Sequence, residues 1–205
     1  MLYVMHYMPS TLCHVKIFEI FQQRICPCCQ ELWVRLEAEQ SHFSGCLAMN
    51  NRLRLISGSK PLLLNPTDGQ ETLAGAADLF RYIDSNFEHW NCHTVGPPTQ
   101  EAAVQVHEIV RDSTFQEIFG SFGVTVDRLA LTQAQIKQFA KRYPVWLKKG
   151  GNGTFFVFQI GDEFLVAAVY FFLDGRLGVR VRRLTLERVF RAQKRHRVVV
   201  KSYRA

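Results

Sequence analysis

The chain has 205 residues, 47% of them apolar, which suits one domain with an appendage and excludes disorder throughout. Its net charge of +7 belongs to the C-terminus: residues 176–205 hold eleven Lys and Arg against one acid, Glu187, or +10, so the preceding 175 residues carry −3. No apolar run reaches the ~18 residues of a membrane span, and six cysteines are too few for a disulfide scaffold, so a cytoplasmic, reducing setting is expected.

Residues 1–25 are apolar but interrupted by His6, His14, Lys16 and Glu19, a poor pattern for a signal peptide. Val15, Phe18 and Phe21 fit a short helix or an aromatic-rich strand. A helix is expected after Cys26-Pro-Cys-Cys29, because Gln30 to Leu47 lacks Gly and Pro until Gly45 and places Leu32, Leu36 and Phe43 near one stripe. Here lies a metal-ligand spacing: Cys26 and Cys29 on one knuckle, then His42 and Cys46 one helical turn apart. Zinc takes tetrahedral N and S ligands of this kind, and a site filled by protein ligands is structural. Residues 24–46 resemble a zinc finger of the two-cysteine, histidine, cysteine type, with Trp33 at the position of that family's core aromatic. The resemblance implies a structural zinc on Cys26, Cys29, His42 and Cys46. Glu39 stands where that family has a core leucine, and Cys28 is an extra thiol. The competing reading is a chance clustering of thiols.

Asn50 to Pro66 reads as a connector with short strands at Leu53–Ile56 and Leu62–Leu64. It divides the chain into a segment 1–60 and a domain 61–205. Three helices are expected next. The first opens on the capping pattern Thr67-x-x-Gln70 and carries Leu73, Ala77, Phe80, Ile83, Phe87 and Trp90 as one stripe. The second starts at Thr99, turns Val106, Ile109 and Val110 inward, breaks near Asp112, and resumes through Phe115, Ile118 and Phe119. The third opens on Thr132-x-x-Gln135, buries Ile136, Phe139, Ala140, Tyr143 and Leu147, and is kinked or ended by Pro144.

Thr154 to Arg183 reads as an antiparallel meander, with turns at Gly161-Asp162 and Asp174-Gly175. Its last strand alternates Leu177, Val179 and Val181 with Gly178, Arg180 and Arg182, an apolar face against an arginine face. A last short helix from Thr185 to Gln193 and an edge strand at Arg197–Lys201 complete the expectation. The fold class is therefore α+β: three helices packed on a three- to four-stranded antiparallel meander, with a small N-terminal segment.

Two constellations bear on function. Cys92 and His93, with His89 a turn earlier, would suit a thiol- or metal-dependent hydrolase, or else a frayed helix end. The basic set Arg176, Arg180, Arg182, Arg183, Arg188, Arg191, Lys194, Arg195 and Arg197 would suit a polyanion, whether nucleic acid or an acidic protein. A base-reading groove would also need aromatics to stack on, and only Tyr203 and Tyr170 stand near the set in sequence. Asn65-Pro-Thr-Asp-Gly69, Asp78-Leu-Phe-Arg-Tyr-Ile-Asp84 and Arg195-His-Arg-Val-Val-Val200 look like stretches of a group of small uncharacterised bacterial proteins. That resemblance covers roughly residues 60–200 and implies no activity. The leading expectation is a non-catalytic module whose C-terminal arginines bind a polyanion with little sequence choice. A protein-interaction or accessory protein, its basic face merely solvated, is the alternative.

Overall fold

The computed structural model describes residues 52–58 and 61–202. Their frame is one mixed sheet of eight strands: β1 Leu53–Leu55, β2 Leu62–Leu64, β3 Phe80–Ile83, β4 Ala102–Ile109, β5 Gly153–Ile160, β6 Glu163–Phe171, β7 Leu177–Arg183 and β8 Arg197–Lys201. The order across the sheet is β1-β4-β8-β5-β6-β7-β3, with β2 continuing the β1 lane along β4. Pairing is parallel for β3 with β7 and for β5 with β8, and antiparallel elsewhere. The helices are short: α1 Asn86–His89, α2 Phe115–Gly120, α3 Val126–Leu129 and α4 Gln133–Arg142. None of the described helices is long and apolar enough to cross a membrane.

This architecture corrects the expected three helices on an antiparallel meander. The first expected helix is a run of turns, then β3, then α1. Its apolar stripe is real, since Leu73, Phe80 and Phe87 all enter one core. Its backbone is not helical, because β3 carries a bulge against β7: Phe80 pairs Leu177, Tyr82 pairs Gly178 and Ile83 pairs Val179. The bulge lets Phe80 and Ile83 share a face three residues apart, which imitates helical spacing. Thr67 does not cap a helix either; it forms a two-way backbone bridge with Thr99, at 3.0 and 2.8 Å. The second expected helix is β4, whose residues Val104 to Ile109 are buried while neighbours pair along both of its edges. A strand buried on both faces loses the period of two that betrays strands elsewhere.

Local signals fared better. The capping box at α4 forms in both directions, Gln135 N–H to Thr132 Oγ1 at 3.3 Å and Thr132 N–H to Gln135 Oε1 at 3.0 Å. Pro144 opens a 3-10 turn just past the end of α4. The β5–β6–β7 meander is present, and Leu177, Val179 and Val181 face the core as their alternation requires. Its first loop has positive φ at Gly161, the pattern of a type II′ hairpin, whereas the second has positive φ at Gly175 but not at Asp174. The expected helix over residues 185–193 reduces to a 3-10 turn at Ala192–Lys194. The expected edge strand β8 instead lies between β4 and β5, with Val198, Val199 and Val200 fully buried.

The sheet has a core on each face. On the first face α4 and the segment around Leu73 to Cys92 cover Phe156, Phe158, Ala167, Val179 and Val199. On the second, α2, α3 and Phe190 cover Phe155, Val157, Val166, Ala168, Val198 and Val200. The second face is not covered to its end. Over β7 and β3 no helix among the described residues covers it, and Tyr82, Phe172 and Arg180 are exposed there.

Candidate functional site

At that open end one row of residues crosses four strands. The registers place Gly153 of β5 beside Tyr170 of β6, Tyr170 beside Gly178 of β7, and Gly178 beside Tyr82 of β3. The row alternates glycine and tyrosine, and the glycines make room for rings. A Cβ built on Gly153 would lie 3.1 Å from the Tyr170 ring, and one on Gly178 would lie 2.7 Å from the Phe172 ring. Glycine inside a strand commonly marks such a close approach. Tyr82 reaches this face only because of the β3 bulge; without it the residue would follow the parity of Phe80 into the first core.

Tyr82 and Phe172 meet edge to face, with centroids 6.5 Å apart, and remain 43% and 42% exposed. Two residues along β7, the Arg180 guanidinium lies 5.4 Å from the Tyr170 ring centroid and 5.6 Å from that of Tyr82. Arg180 is exposed and has no hydrogen-bonded or ion-paired partner among the described residues, so its N–H groups face solvent. Tyr82, Tyr170, Phe172, Gly178, Arg180 and the turn at Gly151 line a shallow cavity of about 130 Å³.

Other cations share this neighbourhood. Burial raises the pKa of the Tyr170 phenol, while the positive charges of Arg180, Arg182 and Arg188 pull it back down. Burial lowers that of the His196 imidazole, and Arg188, Lys148 and Lys194 push it further down. The Arg188 charge thus acts on both Tyr170 and His196. His196 Nδ1 lies 3.0 Å from the Gly153 amide and 3.3 Å from the Gly153 carbonyl, and the contact with Gly153 raises the imidazole pKa against the larger effect of burial. Lys149 lies 6.0 Å from the ring centroid of Phe171, which packs against the first core.

The nine sequence-derived basic candidates do not act as one set. Arg182 binds the buried Asp84 carboxylate at 2.9 Å, and Asp84 also accepts from the Asn86 amide. Arg197 donates to the carbonyls of Val145 and Leu147 at 3.1 and 3.3 Å, and fixes the turn before β5. Arg176 is engaged with Asp174 at 3.4 Å. Arg183 pairs with Glu163 at 3.6 Å and lies over Trp90, which packs on the first face. Arg191, Lys194 and Arg195 are exposed on the turn before β8, and Arg188 lies over Phe190. Among the described residues, Arg180 is the candidate that is both unpaired and in contact with the tyrosine row, and the charge of Arg188 also acts on Tyr170. Tyr82 and Phe172 were missed from sequence, the first because its segment imitates a helix. The signal that points to them is Gly178, a glycine in an otherwise alternating strand.

Cys92 is not placed as a nucleophile. Helix α1 ends at His89, and Asn91 follows in the left-handed region with φ 53°. The Cys92 amide bonds Phe87 O at 2.8 Å and the Asn91 amide bonds Glu88 O at 3.2 Å. That is a Schellman cap, and Cys92 is the apolar residue that such a cap turns back onto the helix. Its thiol is fully buried and burial raises its pKa to about 11, so it stays protonated. His89 and His93 are exposed and share no continuous helix.

Two larger clefts, of about 410 and 450 Å³, contain no His, Cys or Ser. Among the described residues no group of His, Cys, Asp and Glu could hold a metal ion. The expected zinc ligands Cys26, Cys29, His42 and Cys46 lie outside the described residues. No family model, no curated protein and no solved structure matches the chain.

Proposed function

We propose that this protein is a non-catalytic binding module that holds nucleic acid on the open end of its sheet, with little sequence choice. The observation that carries the reading is Arg180, presented between Tyr82 and Tyr170 with its donors unengaged. Arginine forks fit phosphate bidentately, and a guanidinium held between two rings has lost part of its freedom before the ligand arrives. Arg188 adds positive charge at Tyr170, and Arg188, Lys148 and Lys194 add it at His196. The unpaired cations beside the rings suit phosphate, so backbone contacts dominate. Cys92, a buried free thiol, suits the reducing compartment in which such a module would work.

The test is the salt dependence of binding to mixed-sequence RNA and DNA. If Arg180, Arg188 and Lys148 each meet one phosphate, the logarithmic slope on a single strand is about −2. Charge reversal at Arg180 and Arg188 together should abolish binding. Absence of binding at low salt, or binding indifferent to salt, overturns the reading.

A further inference from the structure

A purely electrostatic surface has no use for exposed rings, and this one has two at its centre. We infer that the site takes single-stranded nucleic acid, with an unstacked base seated against Tyr82 and Phe172 while the adjoining phosphates meet Arg180 and Arg188. The inference rests on the proposed polyanion reading and specifies its ligand.

Three observations favour an unpaired strand over a duplex. The first is the Gly-Tyr-Gly-Tyr row. Cβ atoms at 153 and 178 would collide with the Phe155, Tyr170 and Phe172 rings, so the glycines let these rings lie close over the sheet, and Tyr82 and Phe172 stay 43% and 42% exposed beside them. Flat aromatic surfaces on a sheet stack bases of any identity, and only an unpaired strand can supply a free base face. The second is size. The cavity beside the row, about 130 Å³, is close to the roughly 150 Å³ that admits a benzene ring in an engineered core. It accommodates one planar ring. The third is what else stands there. The apolar residues of α1 and α4 pack on the first face, and those of α2 and α3 over the covered end of the second. None of these helices is placed to enter a major groove from the open end, as a duplex reader would require. Bulge, glycines and rings therefore serve one arrangement: base at Tyr82 and Phe172, phosphate at Arg180.

The experiment uses the full chain and four probes in parallel: a short oligouridylate, an abasic strand of the same length, a matched duplex, and heparin. Fluorescence anisotropy at low salt gives each affinity. The oligouridylate should bind about fivefold or more tighter than the abasic strand and the duplex, since one stacked base is worth at least that factor. Phe172→Ala should remove that preference while leaving heparin binding within about twofold, and Tyr82→Ala should remove it while also lowering heparin affinity, because it frees one side of Arg180. Tyr82→Phe should restore it, because stacking needs the ring and not the hydroxyl. Phe172 lies in an exposed turn, so its variant keeps the test open even if the Tyr82→Ala chain fails to fold. Equal affinity for oligouridylate, abasic strand and heparin, unmoved by either ring variant, overturns base stacking and leaves the polyanion reading in place. Failure of all four probes to bind overturns both.

Discussion

The two ends of the sheet's second face are built from the same kinds of residue and differ in whether anything lies on top. At the covered end Phe115, Phe155 and Phe190 pack with centroid separations of 4.4 to 5.0 Å, and His196 stacks on Phe155 at 5.0 Å. All three phenylalanines are buried. At the open end Tyr82, Tyr170, Phe172 and Arg180 repeat the theme of ring and cation, but water reaches them. Aromatic density alone therefore distinguishes nothing. Buried rings carry stability, and exposed rings beside unpaired cations are free to carry binding.

That contrast can be broken by mutation. Truncating Phe155 to Ala at the covered end should cost about 3–5 kcal/mol, because the ring is fully buried and its partners cannot close the void. Urea unfolding reads that loss directly. A loss below about 1 kcal/mol would mean the covered end is not a packed core.

Acid sharpens the contrast next. His107 of β4 is buried edge-on against Phe122, its Nε2 has no hydrogen-bond partner among the described residues, and burial lowers its pKa from 6.5 to about 4. His196 is lowered as well, by burial first. An imidazole with a depressed folded pKa binds protons in the unfolded chain first. Stability is therefore unaffected by His107 above about pH 7, falls as pH drops from 6.5 toward 4, and gains no further penalty from it below that. The drop from this one residue is up to about 3 kcal/mol. Chemical denaturation at several pH values should show it, and His107→Leu should flatten it. The open row holds no histidine, so the affinity of the folded protein for polyanion should change less over the same interval.

The smallest expected effect is on stability at the open end. Arg180→Gln should alter the unfolding free energy by no more than about 1 kcal/mol, since the side chain is exposed and loses only its contacts with two rings. Polyanion affinity should fall severalfold in the same variant. A stability loss as large as that of Phe155→Ala would make Arg180 a structural residue and remove the contrast.

Legibility in the sequence followed the range of the interaction. The α4 capping box, the hairpin positions and the alternation of β7 were readable because each is settled within a few residues. The identities of β3 and β4 were not, because their partners lie far along the chain; Tyr82 pairs with Gly178. In β4 burial on both faces erased the alternation, and in β3 a single bulge converted a strand's spacing into a helix's. The basic set was visible as composition, but which members are engaged was not. Arg182 is tied to Asp84 and Arg197 to carbonyls of residues about fifty positions earlier. Arg180 stays available because its neighbours are rings and not carboxylates.

The central place of β8 has a consequence for how the molecule is made. During synthesis β4 and β5 leave the ribosome with facing flanks that have no hydrogen-bond partner, and they wait until residues 197–201 follow. Val198-Val-Val200 is the wedge that joins two otherwise separate half-sheets. Until it arrives, the nascent chain presents bare strands of the kind that recruit neighbouring chains.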